Sequence, residues 1–92
     1  MDSRLLDKQY AHLNAGQTYR VMQTFVDYDN DTYPEGSTLT FIGANFVPYE
    51  DGLSLFCEIN GQQRQIRLQL RPQEQLHIVK ALAQYLQWVG DE

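Results

Sequence analysis

Near the start of the chain Leu6, Tyr10 and Leu13 recur at helical spacing, with Asp2 or Ser3 placed to cap and Asn14-Ala15-Gly16 placed to stop the run. This pattern predicts a short helix over residues 3–13. From Thr18 to Val26 the period changes to two: Tyr19, Val21 and Phe25 alternate with Arg20, Met22 and Thr24, the signature of a strand. Gln23 interrupts the apolar side. Residues 27–36, Asp-Tyr-Asp-Asn-Asp-Thr-Tyr-Pro-Glu-Gly, concentrate turn formers and predict a long exposed loop. A second strand follows at about 37–46, rich in Thr38, Thr40, Phe41 and Ile42, with Gly43 expected to mark a bend or bulge.

Beyond the turn at Pro48-Tyr49-Glu50-Asp51-Gly52, Leu53, Leu55, Cys57 and Ile59 alternate with Ser54, Phe56 and Glu58. Asn60-Gly61 then supplies the two positions of positive φ that a type I′ hairpin turn requires. A two-residue loop there sets Ile59 against Gln62, Leu55 against Ile66 and Leu53 against Leu68. Apolar residues then meet on one face, and Phe56 lies on the other with Gln65 and Arg67 near it. Pro72 and Glu74 open a second predicted helix over 72–89, ended by Gly90, with Ile78, Val79, Leu82, Tyr85, Leu86 and Val89 on one face. Trp88 falls off that face, so it is expected either against the N-terminal helix or in solvent.

These elements predict an α+β fold: a small, strongly bent antiparallel sheet or SH3-like barrel of four to five strands at 17–70, flanked by an N-terminal and a C-terminal helix. Ninety-two residues suit one domain, 1–92, and 42% hydrophobic with 21% charged residues is a globular composition. Tyr19-Arg20-Val21, Phe25-x-Asp27, the Pro-Tyr-Glu-Asp-Gly-Leu run at 48–53 and Ile66-Arg67-Leu68-Gln69 resemble a small bacterial family known only as a domain of unknown function. The resemblance covers about residues 17–86. It implies a bacterial origin and an intact single domain, and it lends no activity.

Twelve acidic against seven basic residues give a net charge of −5, the wrong sign for nucleic acid or an anionic membrane surface. A single cysteine, Cys57, closes no intrachain disulfide, and no leader or membrane-length apolar run is legible, so a cytoplasmic protein is expected. Asp27-x-Asp29-x-Asp31 begins like a calcium loop, but Thr32 occupies the sharp-turn position and Thr38 the closing carboxylate position. No metal and no cofactor is therefore expected. Cys57 alternates with core residues and reads as a buried small hydrophobe, His12 and His77 fall near helix ends, and no nucleophile elbow, phosphate loop or dinucleotide fingerprint occurs. Arg64 and Arg67 point to opposite faces of a strand and make no basic stripe.

The aromatic residues outside the alternating core positions carry the remaining signal. Tyr28, Tyr33, Phe46 and Tyr49 fall in or beside the two loops, interleaved with Asp27, Asp29, Asp31, Glu35 and Asp51. Rings supply contact area at small entropic cost and carboxylates select a basic partner, while capping the ends of a barrel would use the same rings. The expected function is a noncatalytic protein- or peptide-binding domain, as a monomer or weak homodimer. An immunity-type inhibitor that neutralises a basic enzyme is the alternative, and a small enzyme the third class.

Overall fold

The computed structural model describes residues 6–90. Its main layer is a five-stranded antiparallel sheet in the order β8-β7-β6-β3-β9, built from β3 (Thr18–Val21), β6 (Thr38–Val47), β7 (Gly52–Ile59), β8 (Gln62–Gln69) and β9 (Leu86–Trp88). Two two-stranded ribbons accompany it: β1 (Gln9–Tyr10) with β2 (Leu13–Asn14), and β4 (Phe25–Val26) with β5 (Thr32–Tyr33). Two single-turn helices, α1 (Leu76–Lys80) and α2 (Leu82–Tyr85), precede β9.

The β7–β8 hairpin has the register that its alternation predicts. Leu55 faces Ile66, Leu53 faces Leu68, Ile59 faces Gln62 and Phe56 faces Gln65. Asn60 and Gly61 both take positive φ, 54° and 81°, as a type I′ turn demands. Gly43 follows a β-bulge, where the pairing of β6 with β7 shifts between Phe41 and Gly43. Glycine is required there for a second reason. A Cβ at Gly43 would lie 2.7 Å from Leu6 Cβ and 3.2 Å from the Asp7 carbonyl oxygen, because the N-terminal segment crosses at that point.

The predicted N-terminal helix is corrected. Residues 3–5 of that span lie outside the described residues, and from Leu6 onward the chain is extended, turning through Ala11 at φ 53° into the β1–β2 ribbon. An isolated helix of that length is marginal in water. The alternative supplies fixed partners: β3 pairs β6 only over Thr38–Thr40, leaving the rest of that edge open. Asp7 exchanges both backbone hydrogen bonds with Ala44 (2.8 and 2.9 Å), Gly16 donates to the Phe41 carbonyl and Phe41 donates to Gln17. Leu6 and Leu13, set at helical spacing in the sequence, are both buried, Leu6 in the extended segment that crosses Gly43 and Leu13 in the ribbon.

The C-terminal helix is corrected as well. Helical geometry breaks at Ala81 (φ −120°, ψ 35°) and ends at Leu86, where the chain turns extended and pairs with β3: Val21 with Leu86, Arg20 with Gln87 and Tyr19 with Trp88. Ile78, Leu82 and Leu86 are buried, as the helical spacing requires, but Leu86 enters the core by strand alternation. The open edge of β3 again decides the outcome. The expected α+β plan, a strongly bent sheet or SH3-like barrel with a helix at each end, is thus replaced by an open, mostly β structure. Among the described residues β8 and β9 remain separate edges and no barrel closes.

What covers the core face instead is the β4–β5 ribbon together with α1 and α2. The single strand predicted over 18–26 ends at Val21, and after the bend at Met22 and Gln23 the chain leaves the sheet and places Phe25 over it. Phe25 stacks on Tyr33 (centroids 5.0 Å, 24° between planes) and meets Tyr85 edge-on at 5.9 Å. The loop predicted over 27–36 therefore contains a strand and contributes two buried side chains, Asp27 and Tyr33. No helix among the described residues is long and apolar enough to cross a membrane.

Candidate functional site

Asp27 is 2% exposed, and its carboxylate organises the acidic loop. One oxygen accepts the Asp31 N–H at 2.9 Å and the other accepts the Tyr33 hydroxyl at 3.0 Å. Burial, then the hydrogen bond to Asp27, pushes the Tyr33 phenol well above its ordinary range. Both groups are spent on holding the β4–β5 ribbon.

The next residue leaves that ribbon for the sheet. Tyr28 N–H donates to the Arg67 carbonyl on the outer edge of β8 at 2.7 Å, which brings the tyrosine ring 5.5 Å from the Arg67 guanidinium. The same guanidinium donates to Asp29 Oδ1 at 2.9 Å. Arg67 lies opposite Ser54, so it stands on the face of the sheet away from the core, while Arg64, opposite Cys57, stands on the other face. A polar cleft of about 210 Å³ opens beside Arg67, walled by Tyr28, Asn45, Glu50, Ser54 and Gln65. Gln65 donates to the Ser54 hydroxyl at 2.9 Å, and Gln69 donates to the Glu50 carbonyl, tying the following turn to the cleft wall.

That turn is a 3-10 segment, Pro48–Glu50, closed by Asp51 in the left-handed region at φ 51°. It carries Tyr49 at 98% exposure. Asp51 accepts the Leu70 N–H at 2.7 Å through its carbonyl and faces Arg71 at 3.7 Å through its carboxylate.

The nine residues singled out in the sequence therefore separate into groups. Tyr28 and Asp29 meet at Arg67, and Tyr49 and Asp51 occupy the turn at the same cleft. Asp27 and Tyr33 are interior. Phe46 is exposed but lies opposite Leu53, on the other face of the sheet from Ser54. Asp31 is exposed just before β5 and Glu35 in the turn after it, where Glu35 N–H donates to the Thr24 hydroxyl. Sequence reasoning passed over Arg67, Asn45 and Ser54 as site residues. The available signal was the hairpin register, which already set Arg67 on the outer face.

Cys57 is buried, and burial pushes its thiol up to about 12 against a smaller opposing influence of Arg64. His12 donates through Nε2 to the Leu86 carbonyl, and His77 is exposed on α1. Among the described residues, no three His, Cys, Asp or Glu side chains gather where one metal ion could be held.

Among solved structures, the integron cassette protein VCH_CASS4, from the mobile metagenome of Vibrio cholerae, superposes with a TM-score of 0.94 at 45% sequence identity. The match covers 97% of this chain and 99% of that one. The chain belongs to the family of that cassette protein. An identity of this size over the full length fixes the open five-stranded fold as a family property. It also supports the coarser content of the sequence resemblance, a small bacterial domain. No protein-family model matches the chain, and no curated protein matches it.

Proposed function

We propose that the protein is a noncatalytic domain that binds a protein or peptide segment through the cleft beside Arg67 and the turn carrying Tyr49. The observation that carries this reading is the juxtaposition of two exposed tyrosines with a polar cleft whose walls are fixed by hydrogen bonds. Tyr28 is held by its own backbone and by Arg67, and Tyr49 projects from a turn tied down by Gln69 and Leu70. The Tyr28 ring, already held in place, loses little freedom on binding, which favours affinity. The cations nearest the cleft, Arg67 and Arg71, are engaged by Asp29 and Asp51, while the whole chain carries −5. That balance favours a partner with basic character, and a basic enzyme neutralised by a small cassette-encoded inhibitor is its narrowest form.

The test is capture of a partner from bacterial lysate on the immobilised full-length chain, followed by affinity measurement with Tyr28→Ala/Tyr49→Ala. The double variant should bind at least about tenfold more weakly, a loss near 1.4 kcal/mol, with little change in melting temperature. A partner that binds the double variant as tightly as the original chain overturns the reading.

A further inference from the structure

A second cleft, of about 430 Å³, opens where the β1–β2 ribbon meets β9, shares no residue with the Arg67 cleft, and is lined by His12, Asn14, Gln17, Tyr19 and Trp88. Trp88 pairs with Tyr19 across β9 and β3 and therefore points to the core face, but beyond the point where the core is covered. It is 55% exposed. An exposed indole commonly swings among rotamers; this one is held, because its ring N–H donates to Gln17 Oε1 at 2.8 Å. The rest of the wall is equally fixed. The Tyr19 hydroxyl accepts the Asn14 N–H at 2.7 Å and donates to the His12 carbonyl at 3.2 Å. The His12 ring stands edge-on to Tyr19 at 5.7 Å and is anchored through Nε2 to the Leu86 carbonyl.

The unspent groups define what the cleft can hold. The indole face is open, and the Gln17 amide nitrogen, the Asn14 amide oxygen and His12 Nδ1 make no hydrogen bond among the described residues. No charged carboxylate, ammonium or guanidinium lines the cleft among those residues, so a phosphate or other ionic ligand would find no countercharge. A hydrocarbon would desolvate two amides and an imidazole nitrogen without replacing their water. A ring with apolar C–H faces and a rim of hydroxyls satisfies both halves: its face lies on the indole and its hydroxyls bond the amides. The geometry points to a binding site for a neutral pyranose sugar, stacked on Trp88 and held by Asn14, Gln17 and His12.

Trp88 is the chain's one tryptophan, so its emission reports on this cleft alone. The full-length protein is titrated with glucose, galactose, mannose, N-acetylglucosamine, cellobiose and chitobiose, with adenosine as the planar, non-pyranose ring control. At least one sugar should change the emission saturably and shift the side-chain amide resonances of Asn14 and Gln17. Trp88→Ala and Asn14→Ala, the second an exposed position whose melting temperature should hold, should each weaken that sugar by at least about tenfold when followed by calorimetry. No saturable change with any sugar overturns the proposal. So does unchanged affinity in Asn14→Ala, or adenosine binding more tightly than every sugar. Because the two clefts share no residue, loss of partner capture in Tyr28→Ala/Tyr49→Ala leaves this test unaffected.

Discussion

At the scale of single residues, the interior is decided by how its few polar atoms are satisfied. Tyr33 donates its only hydroxyl hydrogen to a carboxylate that is itself buried. Tyr33→Phe keeps the ring stack on Phe25 but leaves one Asp27 oxygen without a donor. We expect a loss of about 1–3 kcal/mol in urea denaturation, the cost of an unsatisfied buried acceptor. Cys57 makes a prediction of opposite chemistry. Its thiol is raised from an ordinary value of 9.0 to about 12, so the folded state keeps the proton that the unfolded chain loses. Stability attributable to this group is fully present below about pH 9 and declines as pH rises toward 12. Tyr33, also raised, adds a decline of the same sign that begins only near pH 10. Cys57→Ala should therefore delay the onset of the alkaline decline in melting temperature by about one pH unit. An unchanged onset would show that the thiol is not protected by burial.

At the scale of elements, the β7–β8 hairpin and β6 were legible in the sequence and the two ends of the chain were not. The hairpin is specified locally: two positive-φ residues fix the turn, and alternation fixes which side meets which. Gly61→Val, forcing a β-branched residue to φ 81°, should accordingly cost more than about 1 kcal/mol in chemical denaturation. The ends are specified by edges made elsewhere. Leu6, Tyr10 and Leu13, or Ile78, Leu82 and Leu86, bury the same residues whether the segment winds or extends, and only the unpaired stretches of β6 and β3 choose between the two. Nothing in residues 6–13 or 82–88 encodes the position of those edges. The Arg67 cleft was half legible for the same reason: Tyr28, Asp29 and Tyr49 stand out by composition, whereas Arg67, Asn45 and Ser54 join them only through pairing. Gly43→Ala tests this tertiary control. The added Cβ should push the N-terminal segment off β6, accelerating hydrogen exchange at the Asp7 and Ala44 amides more than in the β7–β8 hairpin, with a cost of about 1–3 kcal/mol. Equal protection in the variant would mean that Leu6 moves aside freely.

At the scale of the whole molecule, charge and exposed edges set how the protein meets others. A chain at −5 associates with a basic partner faster at low ionic strength, and raising salt beyond physiological levels should slow that association while leaving dissociation of the tyrosine contacts little changed. Rapid-mixing measurements at several salt concentrations check this; a salt-independent association rate would remove charge from the recognition. The outer edge of β8 is guarded along Gln62–Gln65 by polar and charged side chains, and its continuation is occupied by Tyr28 and by Gln75, which exchanges hydrogen bonds with Gln69. Such an edge resists pairing with a second copy.

The placement of β3 has a consequence in time. This strand sits inside the sheet, yet one of its neighbours comes from the far end of the chain: Gln17 and Trp88, which bond at its start, are 71 positions apart. A ribosome delivers the chain from its N-terminus, so β3 and half of the covering for Tyr19 and Val21 stay unfinished until Leu86–Trp88 emerge. The β7–β8 hairpin can close before β9 exists, whereas the complete sheet forms only once Leu86–Trp88 have emerged, through a long loop closure that makes folding slow. A nascent chain halted after Tyr85 would present a bare interior strand as a template for aggregation. Ribosome-arrested chains of increasing length should gain protease resistance abruptly once β9 has left the exit tunnel.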